Sequence, residues 1–170
     1  MVFINHIAIP AIDIEVSTQF YVEWFRGTRI PSPRFGVPVS WVLIDQMEIH
    51  IVEHSAERIS SGYHFAIAVP DAGRFEEIYL DASRLGLFEH EEFGHHIVER
   101  LDGVVQMYIH DPVGNIVECM FHDSDSLSPS IRSEVRRWHE YNEFDTWNTP
   151  MSTGQDTSDP VRSSRARVLR

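Results

Sequence analysis

Two segments of this chain, Asn5-His6-Ile7-Ala8-Ile9 and Tyr63-His64-Phe65-Ala66-Ile67, carry the same His-x-Ala pattern between apolar residues, 58 positions apart. No other feature constrains the fold as much, because a unit repeated in sequence is a supersecondary unit repeated in space. The same offset places Asp13 on Asp71, and Gly27 falls within one residue of Gly86. In the first half Asp13 reads as a helix cap, Val16, Phe20, Tyr21 and Trp24 recur at helical spacing, and Gly27 stops the helix. The second half repeats this with Asp71, then Phe75, Ile78, Tyr79, Ala82 and Leu85, then Gly86.

Three short apolar segments follow each helix. They lie around 28–31, 40–44 and 47–52 in the first half, and around 89–92, 96–100 running through 104–109, and 115–121 in the second. The pattern predicts an α+β fold of two βαβββ modules, about 1–58 and 59–122, making one domain over 1–122. Asp111-Pro112-Val113-Gly114-Asn115 is a tight-turn signal before the last strand, with Pro fixing φ and Gly free to take φ > 0. Beyond it, Ser128-Pro129 starts a further helix whose stripe is Ile131, Val135, Trp138 and Tyr141, so 123–148 reads as a C-terminal helical extension docked on the body or on a second subunit. From 149 to 170 small and polar residues dominate, the composition of a disordered tail.

Composition narrows the function classes. The 170 residues include one cysteine, which leaves no internal disulfide, and no stretch near the roughly 20 apolar residues of a membrane span. With no secretory leader at its start, the chain is expected in the cytoplasm. The net charge is −12 and the excess of acid lies in 1–122, so the body repels nucleic-acid backbones. All 14 basic residues are arginine, which removes any lysine Schiff-base chemistry.

Side chains alternate across a strand. If Ile7 and Ile9 pack on a helix, His6 and Ala8 face the other way; in the copy, Phe65 and Ile67 pack while His64 and Ala66 face away. In the strand at 47–52, Met47, Ile49 and Ile51 form the packed row and leave His50 opposite; in the last strand Val117, Cys119 and Phe121 leave Glu118 opposite. Four donors, His6, His50, His64 and Glu118, thus stand on the faces away from the helices. Three imidazoles and a carboxylate suit Zn²⁺, Ni²⁺, Co²⁺ or Fe²⁺ and leave positions open for substrate. A lone strand histidine is more often a packing residue, and the chain has ten; the matched placement sets these apart. His54, His90, His95, His96, His110, His122 and His139 have no such mate, and Cys119 on the packed row reads as an inert buried thiol.

The strings Asn5-His6-Ile7-Ala8, Ser17-Thr18-Gln19-Phe20-Tyr21, Ile49-His50-Ile51, Tyr63-His64-Phe65-Ala66-Ile67-Ala68-Val69 and, most specific, His110-Asp111-Pro112-Val113-Gly114-Asn115-Ile116-Val117-Glu118 together resemble the vicinal oxygen chelate superfamily over 3–122. That superfamily includes glyoxalase I, extradiol dioxygenases and the fosfomycin and bleomycin resistance proteins. The resemblance implies paired βαβββ modules whose sheets form an incomplete barrel around a divalent metal, often in a homodimer, with His6, His50, His64 and Glu118 at the ligand positions. It implies a small-molecule substrate. In glyoxalase I the position of His50 usually carries Glu or Gln, so here Glu118 alone is left to act as base. The leading expectation is a metal-dependent lyase or isomerase of glyoxalase I type, in which proton abstraction gives an enediolate. The alternative is an Fe(II) extradiol dioxygenase using His6, His64 and Glu118, with His50 beside them and Tyr108 against a catechol. A metal-free sequestering protein is the third reading.

Overall fold

The computed structural model describes residues 4–54, 63–100 and 102–137. The first half folds as β1 (His6–Ala11), α1 (Ile14–Phe25), β2 (Thr28–Ile30), β3 (Val39–Ile44) and β4 (Met47–Glu53). These strands make one sheet in the order β1-β4-β3-β2, with β1 parallel to β4 and the other pairs antiparallel. The second half gives β5 (His64–Ala68), α2 (Ala72–Leu85), β6 (Ile97–Glu99), β7 (Val105–His110) and β8 (Ile116–Phe121). Its sheet runs β5-β8-β7-β6, again with the first strand parallel to the last. Both halves are therefore the βαβββ units that the repeat predicts, and neither sheet closes into a barrel.

The caps behave as their residue types require. Asp13 accepts from Val16 N at 3.0 Å and Asp71 from Arg74 N at 2.7 Å, satisfying first-turn amides. Helix α2 ends on Gly86 at φ 67°, whereas α1 ends one residue early, with Arg26 in the left-handed region at φ 53°. Gly27 serves a different need: a Cβ there would stand 2.5 Å from Val42 Cγ1, so the glycine lets β3 pass close to the end of α1.

Each helix covers one face of its sheet. Tyr21, Phe25, Ile49, Ile51, Phe75, Ile78, Val117, Cys119 and Phe121 belong to the one large core. Of the expected stripes, Phe20, Tyr21, Phe75, Ile78 and Ala82 are buried, while Val16 and Leu85 are each 51 % exposed and Ser17 and Thr18 are buried beside them. The segment 89–92 is not a strand. Phe88 makes a single bridge to Ile109, and 89–96 then arches over the sheet. After a 3-10 turn (Ser124–Ser126), the helix expected at Ser128 begins there but is one turn long, α3 (Pro129–Arg132). Val135 leaves it, and β9 (Arg136–Arg137) pairs in parallel with β6, whose free edge offers unpaired backbone groups. Ile131 is buried in the core and Val135 packs against it. Trp138, Tyr141 and the 149–170 tail lie outside the described residues. Among the described residues no helix is long and apolar enough to cross a membrane.

The halves are joined through the turn at 111–115. Tyr21 of α1 donates its hydroxyl to Asp111 Oδ2 at 2.8 Å, and the same carboxylate accepts from Val113 N, Asn115 N and Asn115 Nδ2 at 3.0, 2.8 and 2.7 Å. Asn115 Nδ2 also reaches Pro10 O of β1 at 3.1 Å. Gly114, at φ 92°, makes the turn possible. Burial, then the Asp111 charge, pushes the Tyr21 hydroxyl well above its usual pKa. Tyr21→Phe should cost about 1–2 kcal/mol in urea unfolding, and Asp111→Ala about 3 kcal/mol, because it strands buried donors from both halves.

His96 is buried against Phe88, with ring centroids 4.1 Å apart, and neither ring nitrogen has a hydrogen-bond partner among the described residues. Burial, then the neighbouring His95 and His90, lowers its pKa to about 4. A pKa below the unfolded value of about 6.5 means the unfolded chain takes up the proton first as pH falls. Unfolding free energy should therefore drop between about pH 6.5 and pH 4, by about 1–2 kcal/mol after allowing for solvent near the ring. Comparing denaturation of the native chain with His96→Leu over that range isolates the effect, which the variant should lack.

Candidate metal centre

The donors stand where strand parity puts them. In β1, His6 and Ala8 are exposed while Ile9 and Ala11 are buried; in β5, His64 and Ala66 are exposed while Ile67 is buried. Register then gathers residues on each open face. Ala8 and Trp41 lie opposite His50, and Ala66 and Tyr108 lie opposite Glu118. The alanines leave space beside the imidazoles.

The four expected ligands come together two by two. On the first sheet the His6 and His50 rings stack, with centroids 4.1 Å apart and planes at 12°. Trp41 covers the other face of His50 at 4.0 Å and 4°, giving a three-ring stack. His6 Nδ1 is 3.0 Å from Asn5 Oδ1, and His50 Nε2 is 2.8 Å from Glu48 Oε2. On the second sheet His64 Nε2 lies 3.0 Å from Glu118 Oε2. Gln106 donates to Glu118 Oε1 at 2.5 Å. Among the described residues, no three His, Cys, Asp or Glu side chains form a group that could hold a metal ion by themselves.

The donor chemistry fits a divalent cation best on the second sheet. Bonds of about 2.1 Å in a tetrahedral site separate two donor atoms by about 3.4 Å, so His64 Nε2 and Glu118 Oε2, now ion-paired at 3.0 Å, would need to part only slightly to admit a cation. Glu118 is 4 % exposed, so its charge is held by fixed partners rather than by water. The His6–His50 pair offers two imidazoles, one of which must exchange Glu48 for a cation if it ligates through Nε2.

Tyr108 lies across from Glu118 and is 3 % exposed. Burial, then the Glu118 charge, raises its pKa, and Arg100 works against that. It is covered by Phe93, whose ring stacks on it at 4.1 Å and 15° and meets His64 edge-on at 5.1 Å. Cys119 is fully buried on the opposite face, and burial, then Glu118, pushes its thiol well up, as befits an unreactive packing residue. A cleft of about 230 Å³ between β1 and β5 reaches His64, with Ala8, Pro10, Tyr63 and Asn115 on its walls.

Of the partners these donors find, strand parity places Glu48 on the face of His50, whereas Gln106 and Trp41 have no signal in the sequence. Gln106 and Trp41 needed the antiparallel register, which sequence alone did not fix.

No protein-family profile matches the sequence, and no curated protein matches it. Solved structures do. The chain is similar to the oxidase ChaP-H2, at 25% identity over 71% of this chain and 93% of that one, with a TM-score of 0.55. It is similar in fold to a lactoylglutathione lyase from Agrobacterium tumefaciens, at 18% identity over 70% and 92%, TM-score 0.52. It also resembles the fosfomycin resistance protein FosX of Listeria monocytogenes, solved with Mn(II), at 17% identity over 78% and 98%, TM-score 0.55. With two βαβββ modules, and open faces bearing His6 and His50 on one sheet and His64 and Glu118 on the other, the chain shares the fold of these oxidase, lyase and resistance-protein structures, the fold that its resemblance to the vicinal oxygen chelate superfamily implies.

Proposed function

We propose that this protein is a divalent-metal-dependent enzyme acting on a small molecule with two adjacent oxygens, and that its reaction is a proton transfer of the lyase or isomerase type. The observation that carries this reading is the buried Glu118, with one oxygen 3.0 Å from His64 and the other tied to Gln106. The ligands would be His64 and Glu118 together with His6 and His50. Because one chain presents them as two separate pairs, the pairs from two copies of a homodimer would meet to complete each site. His6 and His64, one from each pair, are exposed, which supports this arrangement.

A divalent cation held there supplies Lewis-acid polarisation of the substrate's oxygens. Glu118 takes the proton from the adjacent carbon. Gln106 holds Oε1, so Oε2 is the oxygen left to accept the proton, and it would have to come off the cation to do so. Tyr108 lines the site beside the base, and Ala8 and Ala66 leave room for the substrate between the imidazoles.

An oxygenase reading has its own support: the 25% identity to the oxidase ChaP-H2 and the two-histidine, one-carboxylate subset His6, His64 and Glu118. Metal analysis with substrate screening separates the two. Bound nickel, cobalt or zinc with turnover of hemithioacetals favours proton transfer; bound iron with oxygen uptake on catechols favours the oxygenase. A protein that takes up no metal even on reconstitution would be a sequestering protein.

His64→Ala and Glu118→Gln should each weaken metal binding by at least about ten-fold, measured by competition with a chromophoric chelator. His50→Ala chains alone should show the same weakening. Mixing His50→Ala and Glu118→Gln chains through unfolding and refolding should restore about a quarter of the sites, since half of random dimers are mixed and each mixed dimer has one intact site. No restoration would rule out the shared site.

A further inference from the structure

His50 is the most confined donor of the first sheet. Its ring lies between two others, His6 at 4.1 Å and 12° on one side and Trp41 at 4.0 Å and 4° on the other. With both faces covered, a ligand can reach the imidazole only in the plane of its ring, and a half-turn of the ring would have to break the stack. Metal bonds to an imidazole lie in that same plane, along the lone pair of the nitrogen that carries no proton. Which nitrogen is available is therefore decided by what the edge of the ring already meets.

One edge is taken. His50 Nε2 lies 2.8 Å from Glu48 Oε2, and both side chains are half-buried. Glu48 stands two residues before His50 in β4, so strand alternation puts both on the open face. An ionised carboxylate accepts hydrogen bonds and cannot donate one, so the proton of a neutral His50 ring sits on Nε2 and the lone pair on Nδ1. His6 is held by its other nitrogen, with Nδ1 3.0 Å from Asn5 Oδ1, which leaves Nε2. The two stacked rings thus present opposite nitrogens. His6 is exposed at the end of the stack and has room to tilt toward a cation; His50, enclosed between two rings, has not.

We propose that Glu48 is a positioning residue of this centre, which fixes the His50 tautomer so that His50 takes up the cation through Nδ1, while His6 and His64 do so through Nε2. A histidine that ligates a metal commonly gives its other N–H to a carboxylate or a carbonyl, which sets the ring's orientation and strengthens it as a ligand. Glu48 and Asn5 stand in that place here. Ligation of His50 through Nε2 would have to expel Glu48, whereas ligation through Nδ1 keeps it. The assignment rests on the reading of His50 as one of the ligands.

The full-length protein labelled with ¹⁵N in its histidines tests this by NMR, first without metal and then with ¹¹³Cd²⁺, whose coupling marks each ligating nitrogen. The His50 signals are identified by their absence from His50→Ala. In the metal-free protein His50 Nε2 should carry the proton, and Glu48→Ala should lose that preference, moving the shifts of the two ring nitrogens toward each other. On loading, coupling to ¹¹³Cd should appear at His50 Nδ1 and at Nε2 of His6 and His64. Glu48→Ala should weaken Cd²⁺ binding by about ten- to a hundred-fold in chelator competition, with thermal unfolding showing that the variant folds. A native His50 protonated at Nδ1, or coupled to cadmium through Nε2, overturns the proposal, as does a Glu48→Ala protein whose tautomer and affinity are unchanged. Coupling to His6 and His64 without His50 Nδ1 removes the role of Glu48 and leaves the metal centre standing. Coupling to no histidine removes the metal centre, and this assignment with it.

Discussion

The buried carboxylate of Asp111 is the constraint on which the architecture turns. It is 2 % exposed and accepts from Tyr21, from two backbone amides of its own turn and from Asn115, so a charge that would be costly in isolation is fully used. Asn115 in turn bonds the carbonyl of Pro10. The first helix, the first strand and the turn before the last strand are thereby fixed to one another. Since β8 leaves that turn carrying Glu118, and β5 pairs with β8 to place His64, the position of the second donor pair descends from the same contact.

Much of this was legible from residue types. The His-x-Ala repeat gave the duplication, Asp13 and Asp71 gave the helix starts, and alternation gave the faces of His6, His50, His64 and Glu118. Alternation works because one face of each sheet is covered by a helix, so a strand has only one way to bury Ile49 and Ile51 or Val117 and Cys119. Less was legible where tertiary pairing overrides local pattern. The stripe Ile131–Val135 reads as helix, yet the open edge of β6 takes the chain at Arg136 and turns it into a strand. The arch at 89–96 has no period at all, and its aromatic crest is understood only through the sheet beneath it. Gln106 matters through a contact between strands, which a single strand's pattern does not contain.

The two sheets present unequal halves of chemistry. The second holds a carboxylate and an imidazole close to ligand spacing, with the carboxylate's other oxygen already fixed by Gln106. The first holds stacked rings, His6 on His50 on Trp41, with Glu48 on His50. In the proposed enzyme the second sheet is the preorganised half, and the first sheet is the half that adjusts.

The short strand β9 has a consequence for how copies of the chain can meet. An uncovered sheet edge is a template for another strand, and pairing along it would extend a sheet indefinitely. At one outer edge of the second sheet, β6 is already matched by two residues of the same chain, both arginines. At one outer edge of the first sheet, β2 is only three residues long. Both edges thus offer little length for strand addition. In the dimer proposed above, strand addition at these two rims would thereby be disfavoured, and the broad faces that carry the donors would stay open to a second copy.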